Sequence, residues 1–270
     1  MASNRFRERM NSGAPLTGTH IMTAHEDLIE LAAATGHYDT IEFSAEYSMF
    51  DMRLLDNMAR AAELHDTSLI IKLDQYSQGF WAQAAIGAGF HAVLFTDIRT
   101  PDDIVACHKI LRPDKPGIDG HMGVKIRRIA IEGYSGSKSY LQKIEDIGFM
   151  IMIEKDVAVQ NLDEICSVAA ELGVDMIQWG PSDFGFSRPS TPTPEEIQFF
   201  EKQVIKTALA KGLRPRVELE FPIPEKMDYY TELGIKDYCA MWDRNALSSG
   251  WEKTGAALKD ELAARWSQYY

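Results

Sequence analysis

The chain has 270 residues, a formal net charge of −12 and three cysteines. That length buries a large core without cross-links. The acidic balance argues against a nucleic-acid or anionic-membrane partner, since phosphate binding needs clustered Lys and Arg. Cys107, Cys166 and Cys239 are scattered, with no CxxC, and read as buried reduced thiols.

The N-terminal MASNRFRERMNSG carries charges but no apolar h-region, and no apolar run nears the ~18 residues of a membrane span, so a cytoplasmic protein is expected. From there, apolar runs of strand length alternate with segments of helical periodicity. Strands are predicted over 16–22, 38–44, 68–73, 91–96, 149–154, 175–180, 213–219 and 237–241. Amphipathic helices are predicted over 25–34, 51–65, 79–88, 101–111, 157–172 and 194–211. The last of these starts at Thr193-Pro-Glu-Glu, a hydroxyl cap with Pro in the first turn and two carboxylates at the positive end of the dipole. Strict alternation implies parallel strands with helical crossovers, and eight of them fit an α/β fold of the TIM (β/α)8 barrel type. The whole of 1–270 reads as one domain, with 244–270 as a helical extension.

Two segments break the alternation. Residues 112–137 form a Gly-rich, basic connection longer than an ordinary barrel loop. After the last strand, WDRNALSSGW leads into a helix over 252–265 that a closed barrel does not require. A surplus amphipathic helix either packs on its own barrel or swaps onto another subunit, so a homo-oligomer is expected.

Barrel active sites gather at the carboxyl ends of the strands. There IMIEK ends in Glu154, and QWGPSDFG places Asp183 after a Gly-Pro turn. Two strand-end carboxylates can hold one divalent cation and leave room for substrate and water; each alone is as often a helix cap or a loop acceptor. The second strand delivers Glu46 and Tyr47, whose alternatives are a surface ion pair and a packed aromatic. The third carries Lys72 in an apolar run, where it either meets a carboxylate or an anionic substrate or snorkels at the strand end. His20 reads as a core histidine satisfied by a carbonyl, and His121 as a solvated loop residue; His25 also lies near a loop end. The chain has no GxSxG, strand-linked GxGxxG, P-loop or HExxH. Lys72 is a Schiff-base candidate too, but the neighbouring carboxylate pair favours a metal as electrophile.

With MIEKDVAVQNLDEI and WGPSDFGFS the chain resembles the HpcH/HpaI aldolases, the class II pyruvate aldolases related to citrate lyase β-subunits. The resemblance implies Glu154 and Asp183 as ligands of Mg²⁺ or Mn²⁺, with Co²⁺ or Zn²⁺ as further candidates. It implies a 2-oxo acid whose carboxylate meets Gly180, Pro181 and Ser182, a hexameric assembly, and cleavage or formation of a 4-hydroxy-2-oxo acid through a pyruvate-type enolate. Three positions depart from the family pattern: Tyr47 stands where its His is expected, Lys72 where its strand-end Arg is, and Met152 where Gln is frequent. Glu46, Tyr47 and Lys72 then form an altered proton-handling group, with Lys72 also touching substrate. Decarboxylation of an oxaloacetate-like acid, or binding of a 2-oxo acid without turnover, remain the alternatives.

Overall fold

The computed structural model describes residues 4–132 and 137–269. In chain order its elements are α1 (Arg5–Ser12), β1 (Leu16–Ile21), α2 (Glu26–Ala34), β2 (Thr40–Ser44), α3 (Met52–Glu63), β3 (Ser68–Leu73), α4 (Gln78–Ala88), β4 (Ala92–Phe95), α5 (Pro101–Leu111), α6 (Lys138–Glu145), β5 (Gly148–Ile153), α7 (Asp156–Gln160), α8 (Leu162–Glu171), β6 (Met176–Trp179), α9 (Pro181–Ser187), α10 (Pro194–Ala210), β7 (Arg214–Leu219), α11 (Pro224–Glu232), β8 (Asp237–Trp242) and α12 (Asp243–Arg265). The eight strands pair in parallel in sequence order, and β1 closes on β8. This is the expected (β/α)8 barrel, each strand falling within about two residues of its predicted span.

Period-two alternation sorts each strand between lumen and helices. Outward residues such as Ile41, Phe43, Leu69, Ile71, Val93, Phe149 and Ile151 join the helices in one buried layer. Inward residues divide by side. Ile70, Leu94, Met150, Met152 and Met176 fill the lumen across β3 to β6 with apolar atoms. On β1, β2, β6 and β7 the buried inward residues include His20, Glu42, Gln178 and Arg216. A barrel lumen is ordinarily packed with branched aliphatics, so this ionic half is the departure to explain.

The amino-terminal end is plugged by α1, a helix the sequence reading missed because one buried residue in eight gives no periodic signal. Phe6 is fully buried. It sits so near β5 that a Cβ on Gly148 would lie 2.4 Å from its ring, so that position requires glycine. Arg7 pins the plug to Asp175 at 2.6 Å, and Arg9 to Asp39 at 2.8 Å.

The long connection holds a bridge between Pro113 and Met122 and a 3-10 turn over Arg127–Glu132, and the unpredicted α6 follows it; its stretch at 133–136 lies outside the described residues. The predicted 157–172 helix is two, divided at Asn161. At the carboxyl terminus the helix begins at Asp243 rather than 252. Asp243 accepts from Met22 N at 3.0 Å and Thr23 N at 2.9 Å, tying the first turn to the end of β1 and carrying the helix through Ser-Ser-Gly, which reads locally as a breaker. Beyond that turn α12 stands largely exposed, including Trp251 and Leu258. No helix among the described residues is long and apolar enough to cross a membrane.

Candidate active site

A cavity of about 250 Å³ opens at the carboxyl end of the barrel, lined among others by Tyr47, Lys72, Glu154, Asp183 and Glu218. Gly180, Pro181 and Ser182 belong to the same wall. Of the residues assigned to the site from sequence, Tyr47, Lys72, Glu154, Gly180, Pro181, Ser182 and Asp183 line this cavity and Glu46 reaches it through Lys72, whereas His20, His25 and His121 lie off it.

Glu154 leaves the end of β5 and is 2 % exposed. Its Oε1 accepts the backbone N–H of Asp97 at 2.8 Å. Asp97 donates from a left-handed backbone, φ 58°, a conformation Asp tolerates better than most side chains. The residue just past the end of β6 must be glycine: a Cβ on Gly180 would fall 2.6 Å from Glu154 Cβ and 2.7 Å from its Oε2. Burial pushes the Glu154 carboxyl up to about 7, against the opposing pull of the Asp97 N–H and Lys72. Asp183, in the first turn of α9, faces Lys155, whose Nζ bridges Asp97 Oδ1 at 2.6 Å and Asp183 Oδ1 at 3.2 Å. Burial opposes the charge on Lys155, yet those two carboxylates raise it above its ordinary value. Asp97 and Lys155 were not legible in advance: one depends on a backbone dihedral, the other merely follows Glu154 in a loop.

This donor set fits a hard divalent cation. It is all oxygen, the Glu154 carboxylate is buried in surroundings that favour protonation unless a cation compensates, and Asp183, although paired with Lys155 on one oxygen, stays open to the cavity. The class II aldolases that the sequence resembles generally use a divalent metal.

Opposite stands the cationic edge. Lys72 Nζ is 3.1 Å from Glu46 Oε2, an ion pair rather than a directed hydrogen bond, and lies 4.9 Å from the centre of the Tyr47 ring. Burial lowers Lys72, but Glu46, Glu42 and Tyr47 outweigh it and raise it above its usual range. The Tyr47 hydroxyl is pushed up to about 12, first by burial and then by Glu46 and Asp183, with Lys72 opposing. Near neutral pH this edge offers a charge and an O–H donor, and no base on Lys72 or Tyr47.

Below the cavity runs the ionic half of the lumen. Glu42 accepts from the Arg216 guanidinium on one oxygen, and its Oε1 lies 3.2 Å from His20 Nδ1. Arg216 Nε also donates to Gln178 Oε1 at 2.7 Å, and the Gln178 amide donates to Glu218. Burial would raise Glu42, but Arg216 and His20 overcome it and hold it well below the usual carboxylate range. The expected carbonyl partner of His20 is thus replaced by a carboxylate. His20 stacks on Trp242 with ring centres 4.4 Å apart, an approach set by a bulge between Gly18 and His20 and by Met241 at φ 64°. Donor atoms of His20, Glu42 and Cys239 come within 4.8 Å of one another, but Arg216 already neutralises Glu42, which makes the group an ion network rather than a cation cage. His121 is exposed as expected, while His25 caps α2 through the Asp27 N–H.

The model of the HpcH/HpaI aldolase/citrate lyase family matches residues 17–215. A hydroxypyruvate/pyruvate aldolase of Paraburkholderia phytofirmans is 25 % identical over 188 residues, 68 % of this chain and 70 % of that protein. A 2-keto-3-deoxy-L-rhamnonate aldolase of Shigella boydii is 24 % identical over 215 residues, 78 % of each. Among solved structures, citrate synthase SbnG superposes with a TM-score of 0.80 at 19 % identity, covering 96 % of this chain and 99 % of its own, a likeness of fold alone.

Proposed function

The chain belongs to the HpcH/HpaI aldolase/citrate lyase family, and from that premise we propose that it cleaves or forms a 4-hydroxy-2-oxo acid through a metal-stabilised pyruvate-type enolate. It is a lyase of the class II aldolase type. The single observation that supports the finer reading is that Glu154 and Asp183 line one cavity of about 250 Å³ together with Lys72, a volume that accommodates a small acid.

Glu154 and Asp183 would hold the cation, with Mg²⁺ or Mn²⁺ the best match to an all-oxygen set. When bound, it supplies a Lewis acid that polarises a ketone and stabilises the enolate. The chain's own groups do the rest. Ser182 and Asp183 present first-turn N–H groups without helical carbonyls behind them, suited to a substrate carboxylate beside Gly180 and Pro181. Lys72, held by Glu46, places positive charge near an alkoxide or keto oxygen, and Tyr47 donates its O–H to the same region. Met152 narrows the cavity floor without offering a donor.

Enolate formation requires no aldehyde, so pyruvate tests the reading directly. In deuterated water with Mn²⁺ or Mg²⁺, the methyl protons are expected to exchange, and both Glu154→Ala and Asp183→Ala to remove nearly all exchange along with Mn²⁺ binding. Proton NMR reads the first and Mn²⁺ titration the second. Exchange surviving Glu154→Ala would refute the metal as electrophile. A wild type that neither exchanges pyruvate, cleaves hydroxy-oxo acids nor releases CO₂ from oxaloacetate would leave a binding protein.

Assembly is part of the proposal. Trp251 and Leu258, seven residues apart and hence on one face of α12, are 71 % and 60 % exposed, and we take a second copy of this chain to cover them, within a hexamer. Sedimentation of the full chain bearing Trp251→Glu and Leu258→Glu is expected to show a lower assembly order; an unchanged one refutes this.

A further inference from the structure

Cleavage of a 4-hydroxy-2-oxo acid needs a group that takes the hydroxyl proton and returns one to carbon. Where the family has a histidine this chain has Tyr47, raised to about 12, and the adjacent Lys72 is held as an ammonium by Glu46. Glu154 and Asp183 are committed to the cation. Among the described residues lining the cavity, the remaining ionisable carboxylate is Glu218, which β7 delivers beside Gln178 of the neighbouring β6.

Glu218 is also the outlet of the ionic half of the lumen. Gln178 donates to its carboxylate and is itself fixed by Arg216. Behind it, His20 is 1 % exposed and turns Nε2 toward Glu218 Oε1 at 3.6 Å, just beyond hydrogen-bond range. That Nε2 has no hydrogen-bond partner, although Nδ1 is occupied by Glu42. A buried ring nitrogen without a partner is costly, and here it points at the carboxylate facing the cavity.

We propose that Glu218 is the proton-transfer residue of this site, with His20 as the residue that positions it. The proposal rests on the lyase reading above. In the cleavage direction the Glu218 carboxylate takes the proton of the C4 hydroxyl, the C3–C4 bond breaks, an aldehyde leaves, and the bond's electron pair passes into the enolate of the 2-oxo acid. The Glu218 carboxylic acid then protonates C3 and is returned to its starting state, so no external acid or base is consumed. The His20 imidazole, clamped by Glu42 and Trp242, stands at the back of the carboxylate beside Oε1, the oxygen that Gln178 also holds, and so leaves Oε2 to meet substrate.

Full-length enzyme with Mg²⁺ decides it, read both as pyruvate exchange in deuterated water and as cleavage of a 4-hydroxy-2-oxo acid. Glu218→Gln keeps the Gln178 contact and is expected to lower kcat by about 10²- to 10⁴-fold with KM and Mn²⁺ affinity unchanged. Glu218→Asp, which keeps the carboxylate, is expected to recover part of that loss. His20→Asn is expected to lower kcat less than Glu218→Gln, again leaving KM in place. Wild-type rates in Glu218→Gln would overturn the proposal while the lyase reading stands. Loss of Mn²⁺ binding in that variant would also overturn it, by making the residue structural. A wild type silent in both assays would overturn the lyase reading and the proposal with it.

Discussion

Gly180→Ala is expected to cost the enzyme its cation. The new methyl would lie 2.6 Å from Glu154 Cβ, 2.7 Å from Oε2 and 2.9 Å from Met152 Cε. The Met152 methyl can swing aside, but the Glu154 Cβ cannot. Glu154 is anchored through Oε1 to the Asp97 N–H, and Gly180 N donates to Ile153 O at 3.0 Å, extending the ladder between β5 and β6. Overpacking of this kind destabilises by about 1–3 kcal/mol. The larger effect falls on function, since displacing a positioned group by about 1 Å can cost roughly 10²-fold in rate. Mn²⁺ titration alongside urea unfolding separates the two: weakened binding with a modest loss of stability is the expected result. A variant that binds Mn²⁺ as the wild type does would show that Gly180 is not held glycine by the carboxylate.

How much of this was readable in advance follows from which forces are local. The strands announced themselves because parallel strands covered on both faces are continuous apolar runs, as in GFMIMI of β5, and the carboxylates ending two of them marked the rim. The same reading put Lys72 among apolar neighbours, and the structure places Glu46 against it. What stayed hidden depends on register or on single dihedrals. Asp97 and Met241 act through positive φ, and Trp242 enters the mouth only because of a bulge. The ionic lumen did leave a trace. RPRVEL of β7 carries charge at 214, 216 and 218, every second residue, but the pattern resembles an exposed edge strand until the barrel is closed and those positions turn inward. Glu42, between Ile41 and Phe43, gave the complementary sign on β2.

That hidden network sets the largest expected change in stability, in Arg216→Met. Arg216 and Glu42 are both essentially inaccessible and bonded to each other. Removing the guanidinium leaves a carboxylate in a low-dielectric lumen with the His20 ring as its remaining hydrogen-bond partner, and such half-broken pairs cost about 3–5 kcal/mol. The deficit should depend on pH. In the wild type the folded Glu42 carboxyl is depressed, so its contribution is present above the unfolded value and is lost as pH falls toward the folded one. Without Arg216, burial dominates and raises the folded value, so protonation relieves the variant. The gap between the two proteins therefore narrows toward acid. Adding Glu42→Gln to Arg216→Met removes the orphaned charge and is expected to recover most of the loss, because desolvation then burdens neither side. Urea unfolding of the wild type, both single variants and the double variant forms the cycle that measures this. If the double variant loses the plain sum of the two single losses, Glu42 and Arg216 are not coupled, and the ionic half of the lumen is held by its separate hydrogen bonds instead.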